Sequence, residues 1–191
     1  MKKRSTIVFA LLISVLLFSA SAGALEFSAD TVITAQGHKT QGKMYGKSDR
    51  FRMEISQPSR MIMISRVDKM LAWNIMPDQK IYMEFPLNPQ DTPKTEIKGE
   101  IDRKQVGAET IDGHPTKKYL ITYKEGSRTS QLYQWMATDI NFPVKSADIN
   151  NKWIQEYRNV RIGPQPNSLF ELPSGYSKMQ MPQMPSGMRA R

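Results

Sequence analysis

Residues 61–85 read Met61-Ile62-Met63-Ile64-Ser65-Arg66-Val67-Asp68-Lys69-Met70-Leu71-Ala72-Trp73-Asn74-Ile75-Met76-Pro77-Asp78-Gln79-Lys80-Ile81-Tyr82-Met83-Glu84-Phe85, and the fold is decided here. Three short apolar runs, residues 60–66, 70–76 and 80–85, are parted by the turns Val67-Asp68-Lys69 and Pro77-Asp78-Gln79. Runs of this length bounded by turn chemistry are strands of a meander. Residues 61–64 and 70–73 are apolar on both faces, whereas neighbouring strands are apolar on one. No long amphipathic segment is available to cover the second face. A curled sheet, a loop, a partner or a ligand has to pack there.

The pattern extends in both directions. Upstream, residues 27–34 and 39–46 read as strands, and Phe51, Met53 and Ile55 alternate with Arg52 and Glu54 as a half-buried strand. Downstream, residues 86–96 carry three prolines and read as a loop, and residues 97–103 as a short helical turn. Residues 106–111 and 116–124 meet across Asp112-Gly113, a strong hairpin signal. Further strands follow over residues 128–137, 144–149 and 152–162. The expected fold is mainly β, a single curled antiparallel sheet of roughly nine to eleven strands with little helix.

The first 24 residues have the form of a secretory signal. Lys2-Lys3-Arg4 precede an apolar stretch from Ile7 to Phe18, and Ala22-Gly23-Ala24 supply the small-residue cleavage pattern. The stretch is too short to span a bilayer, which takes about 20 residues. The expected organisation is residues 1–24 as signal peptide, 25–177 as one domain, and 178–191 as a flexible tail rich in Met and Pro. Removing the signal leaves 167 residues and lowers the net charge from +9 to +6. The charges are dispersed, without the basic block a nucleic-acid partner demands. With no cysteine, disulfides and thiol chemistry are excluded. The expected location is the periplasm, with at most peripheral contact with the membrane.

Catalytic chemistry is missing from the sequence. His38 and His114 fall in turns, no nucleophile elbow or H-E-x-x-H exists, and acidic residues are scattered singly. Gly37-x-x-x-x-Gly42-Lys43 imitates a phosphate-binding loop, but Met44 stands where Ser or Thr would hold magnesium. No enzyme and no cofactor is expected. Seven of the 13 methionines lie between positions 44 and 83. Flexible thioether side chains suit either irregular core packing or a cavity that adapts to acyl chains. The tail methionines Met179, Met181, Met184 and Met188 have a spacing that suits Cu(I), an alternative to an idle tail.

Several short stretches carry a family resemblance: residues 41–54, 64–69, 73–77 with 80–84, 106–113, and the closing Ser168-Leu169-Phe170-Glu171-Leu172-Pro173-Ser174-Gly175-Tyr176. Their order resembles the LolA/LolB-like superfamily of periplasmic lipoprotein carriers, and more closely a related periplasmic family known as a domain of unknown function. The resemblance implies an incomplete barrel whose concave apolar face receives acyl chains. Two departures stand out: no long opening helix follows the signal, and Ser48 occupies the position of the carriers' arginine, beside Lys47, Arg50 and Arg52.

The expected function is that of a soluble binding protein for a lipid, an acyl chain or a lipid-modified protein. The expected ligand-facing residues are Phe51, Met53, Ile55, Met61, Met63, Trp73, Ile81, Met83, Phe85, Tyr119, Ile121 and Trp135. Lys47, Arg50 and Arg52 are expected to meet headgroup phosphates. The alternatives are an envelope-stress sensor or interaction module, which binds an envelope protein or lipoprotein, and the Met-rich Cu(I) binder.

Overall fold

The computed structural model describes residues 26–57, 59–87 and 97–179. Twelve strands form one sheet: β1 (Glu26–Ala35), β2 (His38–Lys47), β3 (Arg50–Gln57), β4 (Met61–Arg66), β5 (Leu71–Met76), β6 (Ile81–Pro86), β7 (Glu100–Ile111), β8 (His114–Glu125), β9 (Arg128–Ala137), β10 (Phe142–Asp148), β11 (Trp153–Ile162) and β12 (Ser177–Lys178). The order across the sheet is β12-β6-β5-β4-β3-β2-β1-β11-β10-β9-β8-β7. Two meanders, β1–β6 and β7–β11, thus join in the middle where β1 pairs antiparallel with β11. The expected signal, residues 1–24, and the tail residues beyond Met179, the alternative expected for Cu(I), lie outside the described residues.

The three expected strands of the decisive stretch are β4, β5 and β6. Both turns between them are a short 3-10 turn closed by a residue in the left-handed region, Met70 after Val67–Lys69 and Lys80 after Pro77–Gln79. Residues 97–103 correct the expected helical turn: β7 already starts at Glu100, because Arg103 and Gln105 face Ile121 and Tyr119 of β8 in the ladder. A twelfth strand also appears. Ser177–Lys178 adds in parallel to β6, with the Met179 N–H bonded to the Tyr82 carbonyl at 2.8 Å.

The sheet has to curl. From β6 to β7 it is ten strand spacings wide, about 48 Å if flat. The Leu87 N–H is bonded to Met70, and Ile97 accepts the Glu100 N–H. The chain between Leu87 and Ile97 reaches at most about 35 Å. The edges must therefore approach each other, although the sheet does not close into a barrel.

Glycines on the inner face permit the bend. A Cβ at Gly42 would lie 1.8 Å from the Glu54 carbonyl oxygen, and one at Gly46 2.2 Å from the Phe27 ring. Gly42 sits where the β2–β3 register shifts. Gly42→Ala is expected to destabilise the fold by about 2 kcal/mol or more, since backbone must move to admit the methyl group. Gly163→Ala, whose Cβ meets nothing within 4 Å, should be near neutral; urea unfolding of the two variants measures the difference.

Candidate functional site

Residues opposite one another in the ladders share a face of the sheet. From β6 to β7, one face carries Ile81, Met83 and Phe85; Ala72 and Asn74; Met61 and Met63; Phe51, Met53 and Ile55; Met44; Ala29 and Thr31; Gln155 and Tyr157; Ser146; Leu132 and Gln134; Tyr119 and Ile121; and Arg103. Phe27, Ala29, Met44, Phe51, Met53, Ile121, Leu132 and Tyr157 of this face are buried without a covering helix among the described residues. Lys43 and Arg158, on the other face, are exposed. The first face is the inside of the curl.

The inside is filled unevenly. Around β1 and β11, Phe142 packs edge-on to Phe27 at 4.7 Å and to Tyr157 at 5.4 Å, and Met44 and Phe51 join this core. On β4 and β6, Met61, Met63, Ile81, Met83 and Phe85 are only half-buried. The concave face therefore passes from a packed core to an apolar, methionine-rich surface.

Ten of the twelve expected ligand-facing residues share this face. Trp73 and Trp135 do not, which corrects their placement. Trp73 lies opposite Ile64 and Glu84 in the ladder, packs with Phe170, and donates its Nε1–H to Glu84 at 3.0 Å. Trp135 lies opposite Lys118 and Lys145, donates to Glu109, and has the Lys118 ammonium 4.7 Å from its ring. Each aromatic ring is satisfied on the outer face by a carboxylate, so its size was no guide to its direction.

The outer face of β4–β6 is covered by the chain's own C-terminal segment. Ile64, Trp73 and Ile75 are buried together with Phe170, and Leu169, Leu172 and Tyr176 pack around them. This strap answers half of the question posed by the doubly apolar strands. Cations hold its backbone: Lys47 Nζ donates to the Gln165 carbonyl at 2.9 Å, Arg52 Nη1 to Leu169 at 2.9 Å, and Arg66 Nη1 to Phe170 at 3.2 Å. Arg66, 3% exposed, also meets the Asp68 and Glu171 carboxylates. Arg50 pairs with Asp49 and Asp68, and Lys47 and Arg52 pair with Glu26 and Glu54. Lys47, Arg50 and Arg52, the residues expected to meet headgroup phosphates, are thus each paired with a carboxylate of the chain.

The sequence reading missed the polar side chains inside the curl. Thr31, Gln134, Ser146 and Gln155 are all buried on the concave face. Gln155 Nε2 donates to the Tyr157 hydroxyl at 2.6 Å, and burial pushes that phenol's pKa upward. Gln134 accepts from Arg103 Nη1 at 2.9 Å. Thr31 Oγ1 and Gln134 Nε2 have no hydrogen-bond partner among the described residues, a condition that costs about 1–3 kcal/mol per group. The strict alternation of Leu132 and Gln134 with Tyr133 and Trp135 was the available signal. His38 is exposed, and His114 Nδ1 lies 2.7 Å from Asp139, engaged in its own pair. Among the described residues no three His, Cys, Asp or Glu side chains could hold a metal ion, and no helix is long and apolar enough to cross a membrane.

Geometry and lining define a class: an open, curled antiparallel half-barrel with an apolar inner face. Residues 28–141 match the family described as Domain of unknown function (DUF4412), and the chain belongs to that family. No curated protein matches it. A chain of the Pseudomonas aeruginosa MucA/MucB complex is 15% identical with a TM-score of 0.53, over 76% of this chain and 55% of that one. MucB alone is 16% identical with a TM-score of 0.54, over 78% and 58%. This chain thus spans a little over half the length of the MucB chains it matches, and the likeness is one of fold. A LolA superfamily protein from Nitrosomonas europaea is 12% identical with a TM-score of 0.36, over 83% and 94%.

The strap is sensitive to acid. Arg66 holds the Asp68 carboxyl below its ordinary value of 3.8. Burial pushes Glu171 up, but Arg66 and Lys69 outweigh it and leave it below 4.5. Lys178 and Trp73 lower Glu84. Groups with lowered folded-state values stabilise fully above about pH 4.5 and lose that contribution as pH falls through those values. Hydrogen-exchange protection at Ser177 and Met179, bonded to Lys80 and Tyr82, is expected to drop as pH falls below about 4.5, before protection in β1 and β11 does.

Proposed function

We propose that this chain is an exported periplasmic binding protein, without catalytic activity, whose concave face holds the acyl chain of a lipid or lipid-modified protein. The observation that carries the reading is the half-buried row Met61, Met63, Ile81, Met83 and Phe85 on the inside of a sheet whose outside is already covered by Phe170 and its neighbours. Covering an acyl chain releases about 0.8 kcal/mol per CH₂. A long chain fully covered gains on the order of 10 kcal/mol, enough to compete with a bilayer only when most of its length is enclosed. Unbranched methionine side chains adapt to tails of different length and unsaturation. The likeness to MucB supports the fold of such a protein and leaves the ligand to the lining.

One observation favours a second reading. MucB has been solved in complex with MucA, so a protein partner is the alternative occupant of this half-barrel.

Organic extracts of the exported protein, purified with intact membranes as the lipid source, are expected to contain stoichiometric acyl lipid by mass spectrometry. Met63→Lys combined with Met83→Lys should reduce that content at least tenfold, because charged side chains displace the tail. Trp73→Phe, on the opposite face, should leave it unchanged. A lipid-free extract together with a co-purifying envelope protein would favour the second reading, and a lipid-free extract alone would overturn the first.

A further inference from the structure

Gln134 is 1% exposed on the inside of the curl, opposite Tyr119 on β8 and Ser146 on β10, with Leu132 and Ile121 beside it on the same face. Its amide is oriented. Arg103 spends Nε and Nη2 on the Glu100 carboxylate, each at 2.8 Å, and directs Nη1 at Gln134 Oε1 at 2.9 Å. With the oxygen taken, the –NH₂ group is the free end, and it has no acceptor among the described residues. Buried donors in folded proteins almost always have a partner. We infer that Gln134 Nε2 is the docking point for a carbonyl oxygen at the head of the bound acyl chain, making this the polar end of an otherwise apolar site.

The chemistry selects a neutral carbonyl. Glu100 balances the Arg103 charge, so the surroundings of Gln134 carry no net positive charge to hold a carboxylate. A carboxylate brought among Leu132 and Ile121 would lose its hydration without a counter-ion. An ester or amide carbonyl asks for one N–H and brings no charge. The acyl group is therefore one already joined to glycerol, an amine or a protein, not a free fatty acid. The Arg103–Glu100 pair acts as a positioning device that keeps the amide from turning over.

This inference rests on the acyl-binding reading, and the test separates the two. Three probes are titrated against the full exported protein: 1-monooleoylglycerol, oleate, and 1-octadecene, which has the tail without a carbonyl. Binding of monooleoylglycerol several-fold tighter than octadecene and tighter than oleate at pH 7 is expected. Gln134→Leu should weaken monooleoylglycerol by about five- to tenfold, the usual worth of one hydrogen bond, and leave octadecene unchanged. On the unaltered protein, the carbonyl stretch of bound monooleoylglycerol labelled with ¹³C at the carbonyl should move to lower frequency than in hexane, a readout that does not depend on the variant folding. Binding of all three probes with equal affinity, no shift of the carbonyl band, or tightest binding of oleate would overturn the Gln134 assignment while acyl binding itself stands. Failure of every probe to bind would remove the acyl reading along with it.

Discussion

The structure depends on a length constraint. β6 and β7, ten strand spacings apart in the sheet, are joined by a connection shorter than that width, so the sheet bends until they approach. A bend of that degree crowds the inner side chains of the central strands, and small residues there relieve the crowding: Gly42, Gly46 and Ala29 lie on the concave side where β1, β2 and β3 meet. The aromatic contacts of Phe27, Phe142 and Tyr157 then fill the narrowest part. Where the lining changes to half-buried methionines, the hollow is no longer filled to the same depth.

The two faces of β4–β6 consequently have different occupants. The outer one is closed by the chain itself, through apolar contact with Phe170 and through cations that grip backbone carbonyls. The inner one presents long, flexible side chains to whatever enters. Using arginine and lysine to bind the strap gives a directional hold: Arg52 reaches the Leu169 carbonyl and the Glu54 carboxylate at once, and Arg66 the Phe170 carbonyl and the Asp68 carboxylate. Removing those cations from the rim also leaves the concave site with little charge of its own.

Much of the fold was legible because hairpin meanders announce themselves locally. The V-D-K and P-D-Q turns, the Asp112-Gly113 hairpin and the period-two alternation of residues 51–55 each specify neighbours a few residues apart. What escaped was non-local. β12 is two residues long and has no pattern of its own; it exists because the strap delivers it to the β6 edge. Lys47, Arg50 and Arg52 look like a free basic rim until Gln165 and Leu169, more than a hundred positions away, supply acceptors for Lys47 and Arg52, and Asp68 pairs with Arg50. Trp73 belongs to a strand that is apolar on both sides, where alternation loses its meaning and only the register assigns a direction, and Trp135 follows Tyr133 onto the face opposite Gln134. Gln134 was passed over because a polar residue in a strand is ordinarily taken to face water.

The pairing of the first strand with the last long one has a further bearing on how the molecule is made. Until residue 153 has emerged, β1 has hydrogen-bonded company on one side only, and the face that Phe170 seals stays bare for another seventeen residues. The N-terminal meander is thus an unfinished surface throughout synthesis. The pairing of β1 and the outer cover of Ile64, Trp73 and Ile75 are both supplied by residues that follow them by more than ninety positions.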